Sequence, residues 1–153
     1  MIGKVDLETP LPSGFFAKTG DSIILVGGTV PEMGGSEYYS CMGAGNAGKV
    51  PEVPKNAPPE IIKAVIEAVK SGKLNSAHDL SLGGIGAGLA RMCKNMGGKV
   101  DISEIAGGMK ADEFLFSEAP ARALLATAEP EAVQELLKGV PPCRNRHGWW
   151  RCP

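Results

Sequence analysis

Residues 22–28 read SIILVGG. Four of the first five are aliphatic and three are β-branched, between a Gly20-Asp21 turn and the Gly27-Gly28 pair. This is the pattern of a short buried strand with a turn at each end. RALLAT, residues 122–127, reads the same way. Between and beyond these runs the period changes. Pro58 and Pro59 suit the first turn of a helix. Ile61, Ile62, Val65, Ile66 and Val69 then recur on one helical face, and Gly72 stops it. A second helix is expected from about Gly84 to Asn95, entered through a glycine-rich turn. A short one is expected over Asp112–Ser117. A third opens at Pro130, with Val133, Leu136 and Leu137 facing inward and Gly139 at its end. Gly98–Ile102 reads as a short strand, and residues 1–18 and 29–57 show little regular pattern. Strands alternating with helices predict an α/β (α+β) domain, a layered mixed β-sheet flanked by helices.

The chain has 153 residues, enough for one domain with a real core. Hydrophobic residues at 43% and charged residues at 22% are a folding composition. A net charge of -1 gives no basic field for nucleic acid or an anionic membrane, and neither is expected as a partner. No run of 18 apolar residues occurs and no signal-like stretch follows Met1, which points to the cytoplasm. Cys41, Cys93, Cys143 and Cys152 form no C-x-x-C pair and read as reduced thiols. Glycine supplies 21 residues, about double the usual ~7%. That excess suggests backbone that approaches another group closely.

The domain is placed at residues 1–140, because residues 141–153 have a different character. The tail, PPCRNRHGWWRCP, holds both tryptophans and three of the five arginines. Cys143, His147 and Cys152 lack the tight ligand pair of a zinc site, and no metal is assigned. A reading-frame change also explains it. Codons for Cys143–Pro153 can be chosen so that a one-base shift yields A-V-I-G-T-G-G-G-D-A, an apolar run and glycines suited to a last buried strand. The two tryptophan codons are not free and force part of that glycine run.

Four stretches carry candidate chemistry. GAGNAGKV, Gly43–Val50, nearly matches a phosphate loop, but Val50 replaces the metal-binding hydroxyl and Pro51 and Pro54 forbid the helix that should follow. A glycine connector is favoured. SAHDLSLGGIGAGLARM, Ser76–Met92, places His78, Asp79 and Ser81 before Gly83-Gly84 and an apolar helix. Exposed N–H groups at a helix start make an anion site, and a phosphorylated ligand is its natural occupant. A plain cap by Ser81 fits the same residues. GGSEYY, Gly34–Tyr39, presents Gly35, Ser36 and Glu37 either as a ligand wall or as a turn before a strand edge. In LFSEAPAR, Leu115–Arg122, Glu118 and Arg122 read as a structural ion pair.

The order GD-IILV-G, GGSEY, SAHDLS-x-GG, LFSE-x-x-x-R resembles the C-terminal domain of the AIR-synthase-like family over about residues 3–140. Within it, Gly35-Ser36-Glu37-Tyr38 together with Ser76-Ala77-His78-Asp79 is most similar to the phosphoribosylformylglycinamidine synthases. The alternate-frame A-V-I-G-T-G-G-G-D is similar to the family's closing strand. The resemblance implies a fold that is partly ferredoxin-like. It implies a ligase of purine biosynthesis that uses ATP and magnesium, held by N-terminal domains. Formylglycinamide ribonucleotide is amidated: ATP activates the formamide oxygen as a phosphoryl leaving group, and ammonia displaces it. Ammonia comes from a glutaminase, and a small subunit completes the assembly.

This sequence departs from the family pattern at two places. Leu82 stands where an acid usually follows the serine, and Arg91 stands where a glutamate usually precedes Met92. Fewer negative charges favour an anion there over a metal. The ATP-binding half is not in this sequence. The expectation is therefore a C-terminal domain fragment that contributes a substrate-phosphate loop without complete synthetase activity alone. The loop is His78, Asp79, Ser81, Gly83 and Gly84, and the facing wall is Gly35, Ser36 and Glu37. No cofactor is certain for the chain itself. AIR synthase, selenophosphate synthetase, hydrogenase-maturation and thiamine-phosphate kinase types remain alternatives, as does a non-catalytic interaction module. Apolar surface left by a missing neighbour favours homodimerisation.

Overall fold

A computed structural model describes residues 8–45, 47–53, 57–94, 96–103, 105–140 and 150–151. Strands β1 (Ser22–Val26), β2 (Ser76–Leu80), β3 (Arg122–Thr127) and the two-residue β4 (Trp150–Arg151) form one sheet in the order β2-β3-β1-β4. The three ladders are antiparallel. An isolated parallel bridge joins Ser13 to Ser76 on the outer side of β2, where Ser13 N–H donates to Asn75 O and Ala77 N–H to Ser13 O. This segment covers backbone groups that an edge strand would otherwise leave open.

The helices are α1 (Glu37–Cys41), α2 (Ala57–Lys70), α3 (Gly84–Met92), α4 (Ala111–Phe116) and α5 (Pro130–Leu136). Alternation along the strands divides the core in two. Ile23, Leu80, Leu124 and Ala126 point to one side, where Ile85 and Met92 of α3 and Phe114 of α4 meet them. Ile24, Val26 and Leu125 point to the other, against Ile61 and Ala68 of α2 and Val133 of α5. The expected layered fold is therefore formed, with helices on both faces of the sheet.

Several sequence expectations change. Ser76–Leu80 is a strand rather than part of a polar loop: Ser76 and Leu80 are buried, and the ladder to β3 satisfies the backbone. Glu37–Cys41 is a short helix where the sequence suggests a turn before a strand edge. Ser36 is buried and its Oγ accepts the Tyr39 N–H, so the serine caps the helix. No strand forms over Gly98–Ile102 among the described residues. On α2 the inward face is Ile61, Val65, Ala68 and Val69, while Ile62 and Ile66 are exposed. Leu136 is also exposed, while Val133 and Leu137 pack inward as expected. Five apolar residues on a helix cover more arc than one sheet face can bury.

Asp21, just before β1, is buried, and Asn75 Nδ2 donates to both its carboxylate oxygens at 2.9 and 3.0 Å. Burial holds its carboxyl above the usual aspartate value, against the lowering effect of the Asn75 bond and of Lys18. A raised native pKa means that the folded state takes the proton more readily than the unfolded chain. The stabilising effect is complete below the ordinary aspartate value and disappears as pH rises through the native one. Thermal melts of the wild type and Asp21→Asn across this acidic range are expected to show the wild type gaining on the variant as pH falls. A constant difference would contradict the assignment.

Candidate functional site

Two glycine-rich turns far apart in sequence meet at one carboxylate. The first, Gly34-Gly35-Ser36-Glu37, leads into α1. Gly35 takes φ +75°, which an L side chain rarely adopts. The second, Ser81–Gly84, leads from β2 into α3. Its cap residue is Gly83, which has no side chain to satisfy the orphan N–H groups of the helix. Glu118 supplies the missing acceptor. Its Oε1 receives the Gly83 N–H at 2.8 Å and the Glu37 N–H at 2.8 Å.

The segment carrying Glu118 is held on both sides. The buried Arg122 donates from Nε to Ala119 O at 2.8 Å, from Nη2 to Ser117 O and from Nη1 to Thr29 Oγ1 at 3.1 Å. Ser117 Oγ donates to Glu32 O at 3.2 Å. Tyr38 of α1 stacks on Phe116 of α4, with ring centroids 4.9 Å apart and planes 5° apart. The motif LFSEAPAR thus works mainly through backbone contacts, a role that sequence gives no local sign of.

The structure groups some expected site residues and separates others. Gly35, Ser36, Glu37, Ser81, Gly83 and Gly84 belong to the two turns that Glu118 bridges. Ser81 is exposed, and its carbonyl accepts the Gly84 N–H at 3.0 Å. Gly83 and Gly84 therefore already use their N–H groups, whereas those of Ile85 and Gly86 have no acceptor among the described residues. His78 and Asp79 are consecutive in β2 and point to opposite faces. His78 shares the α3 face with Leu80, close to Gly88, while Asp79 is exposed on the side of α2 and α5.

The Gly43–Val50 loop packs behind the first turn. Gly34 N–H donates to Lys49 O at 2.9 Å, and Lys49 Nζ lies 3.0 Å from Glu52 and 3.7 Å from Glu32. Its lysine faces carboxylates, and no helix starts in the described residues 47–53, so this is a connector. Cys143, His147 and Cys152 lie outside the described residues. Among the described residues no three His, Cys, Asp or Glu side chains gather to hold a metal ion. No helix among the described residues is long and apolar enough to cross a membrane.

The sequence profile of the family described as AIR synthase related protein, C-terminal domain, matches residues 18–143. The chain belongs to this family. Among curated relatives of this AIR-synthase-related domain, phosphoribosylformylglycinamidine synthase subunit PurL of Methanosarcina mazei is 96% identical over 141 residues. That match covers 92% of the chain and 20% of the relative. Subunit PurL of Methanosarcina acetivorans is 80% identical over the same length and share. The chain spans about a fifth of the length of the curated relatives it matches. Thermotoga maritima PurL complexed with FGAR superposes with a TM-score of 0.67 at 22% identity, over 82% of this chain and 23% of that one. The ATP complex of the same protein gives 0.63 at 20% identity, over 86% and 21%. At these identities the solved structures speak for the fold of the AIR-synthase-related domain.

Proposed function

We propose that the chain acts as the C-terminal domain of a phosphoribosylformylglycinamidine synthase and contributes one wall of the pocket for the substrate's phosphate. The observation that carries the reading is the convergence of the GGSE and SLGG turns on Glu118. The start of the nine-residue α3 then lies beside the GGSE turn, and oriented N–H dipoles favour an anion near a helix start. The Gly86 N–H, in the half-buried first turn of α3, is the donor available to it, while Ile85 is fully buried. Formylglycinamide ribonucleotide is the proposed ligand, supported by the near-identity to PurL sequences. The remaining chemistry belongs to the rest of the enzyme. There ATP phosphorylates the formamide oxygen with magnesium, and ammonia from a glutaminase partner displaces the phosphate. This domain's part is to bind and orient, so it has no complete synthetase activity alone. A cytoplasmic setting goes with this role.

A thermal-shift titration of the purified chain with formylglycinamide ribonucleotide, ADP and inorganic phosphate tests the proposal. Ribonucleotide at 100 times its dissociation constant is expected to stabilise the fold by ~2.7 kcal/mol. Ser81→Asp puts a carboxylate at an exposed position of the second turn. It is expected to leave the melting temperature of the free domain nearly unchanged and to weaken the ribonucleotide at least tenfold. A cooperatively melting chain that shifts with none of the three ligands would count against a phosphate wall and favour an interaction module.

The frame-change reading of residues 141–153 is a second proposal. The DNA sequence of the gene decides it: codons for Cys143–Pro153 incompatible with the shifted frame remove the idea.

A further inference from the structure

We propose that Glu118 is a positioning residue for this wall: one carboxylate oxygen sets the spacing of both turns and thereby governs ligand affinity. The ligand part of the inference rests on the phosphate-wall reading. The geometry carries the rest. A single atom, Oε1, accepts from Glu37 N–H and Gly83 N–H, both at 2.8 Å. Phe116 also lies between the two sides, stacked on Tyr38 of α1 and against Gly86 of α3, and Glu118 adds the hydrogen bonds that join the turns themselves. The five residues of α1 are too few for a self-sustaining helix, and the glycine cap of α3 offers no oxygen of its own. Ionised acceptors form the stronger hydrogen bonds, so the carboxylate is well suited to cap two helix starts at once.

Its own freedom is small. Ser117 and Ala119, on either side, are buried, and the same guanidinium takes both their carbonyls. The order is therefore Arg122 to the carbonyls of Ser117 and Ala119 that flank Glu118, the Glu118 side chain to the two turns, and the turns to the ligand. A wall fixed before the ligand arrives spares it the ordering cost that loose turns would impose.

Amide hydrogen exchange and ribonucleotide titration on the wild type, Glu118→Ala and Glu118→Gln provide the test. In Glu118→Ala, exchange at the Glu37 and Gly83 amides is expected to rise together by tenfold or more, with Leu124 and Leu125 of β3 unchanged. Ribonucleotide affinity is expected to fall at least tenfold. Glu118→Gln keeps an oxygen in place and is expected to recover most of both. A rise at only one of the two amides, or an equal rise across β3, overturns the coupling. Freed amides with unchanged affinity overturn the positioning role. If the wild type binds no ribonucleotide, the phosphate-wall reading and the ligand part fall with it. The paired amide result then decides alone whether Glu118 ties the turns.

Discussion

Gly84→Ala is expected to destabilise the domain by about 3 kcal/mol or more. Two effects add at this position. Gly84 has φ +61°, in the left-handed region where an alanine costs roughly 1–2 kcal/mol. A Cβ there would also lie 2.8 Å from Leu115 O and closer still to Ser117 O. Both atoms are backbone, and Ser117 O is held by Arg122, so the neighbour cannot swing aside as a side-chain end would. Gly35→Ala is the control. Its φ is +75°, but nothing lies within 4 Å of the added carbon, so only the conformational cost of about 1 kcal/mol is expected. Urea midpoints of the two variants give the comparison, and a Gly84→Ala as mild as Gly35→Ala would show that the close approach is not real. The same crowding means that a charged residue at 84 tests folding rather than binding. An exposed position such as Ser81 is the better probe of affinity.

Leu124→Ala is expected to cost about 3–4 kcal/mol, within the range seen for leucines truncated in well-packed cores. Leu124 is fully buried on the central strand, in the cluster that includes Ile85, Met92 and Phe114. Its partners belong to a sheet and two helices that already pack against one another, which limits how far the cavity can collapse. Leu136→Ala, at a residue 37% exposed near the end of α5, is expected to cost less than about 1 kcal/mol. Chemical denaturation with unchanged m-values is the measurement. Equal losses at the two positions would contradict the division of the core described above.

The legible parts of the fold were those where local pattern and tertiary role agree. SIILV and RALLAT are apolar on both sides because β1 and β3 are covered on both faces, and their limits are those expected. The helix after Pro58-Pro59 was likewise plain, from its proline start and the glycine at 72. SAHDL was not legible as a strand. Its inward residues include a serine and a histidine, so period-two hydrophobicity is weak. Its identity comes from pairing with β3, information held 46 residues away at Arg122. For the site, the glycine turns and their serines could be read from sequence, and the structure brings the two turns together. The role of Glu118 could not be read, because its partners are backbone N–H groups and leave no trace in residue type. Arg122 reads in sequence as an ion-pair partner for Glu118, and its bonds to the Ser117 and Ala119 carbonyls and the Thr29 hydroxyl likewise leave no trace in residue type.

The place of β3 in the sheet has a consequence for how the domain is made. It is the partner of both β1 and β2, which do not pair with each other, and it is the last of the three to leave the ribosome. Until Thr127 has emerged, the two earlier strands have no common template, and each presents open backbone and apolar side chains. Closure of the sheet must therefore wait for nearly the whole domain, a long-range step of the kind that folds slowly and exposes sticky intermediates. During that wait the nascent chain is the form in most need of shelter, and a holding chaperone has its natural substrate there.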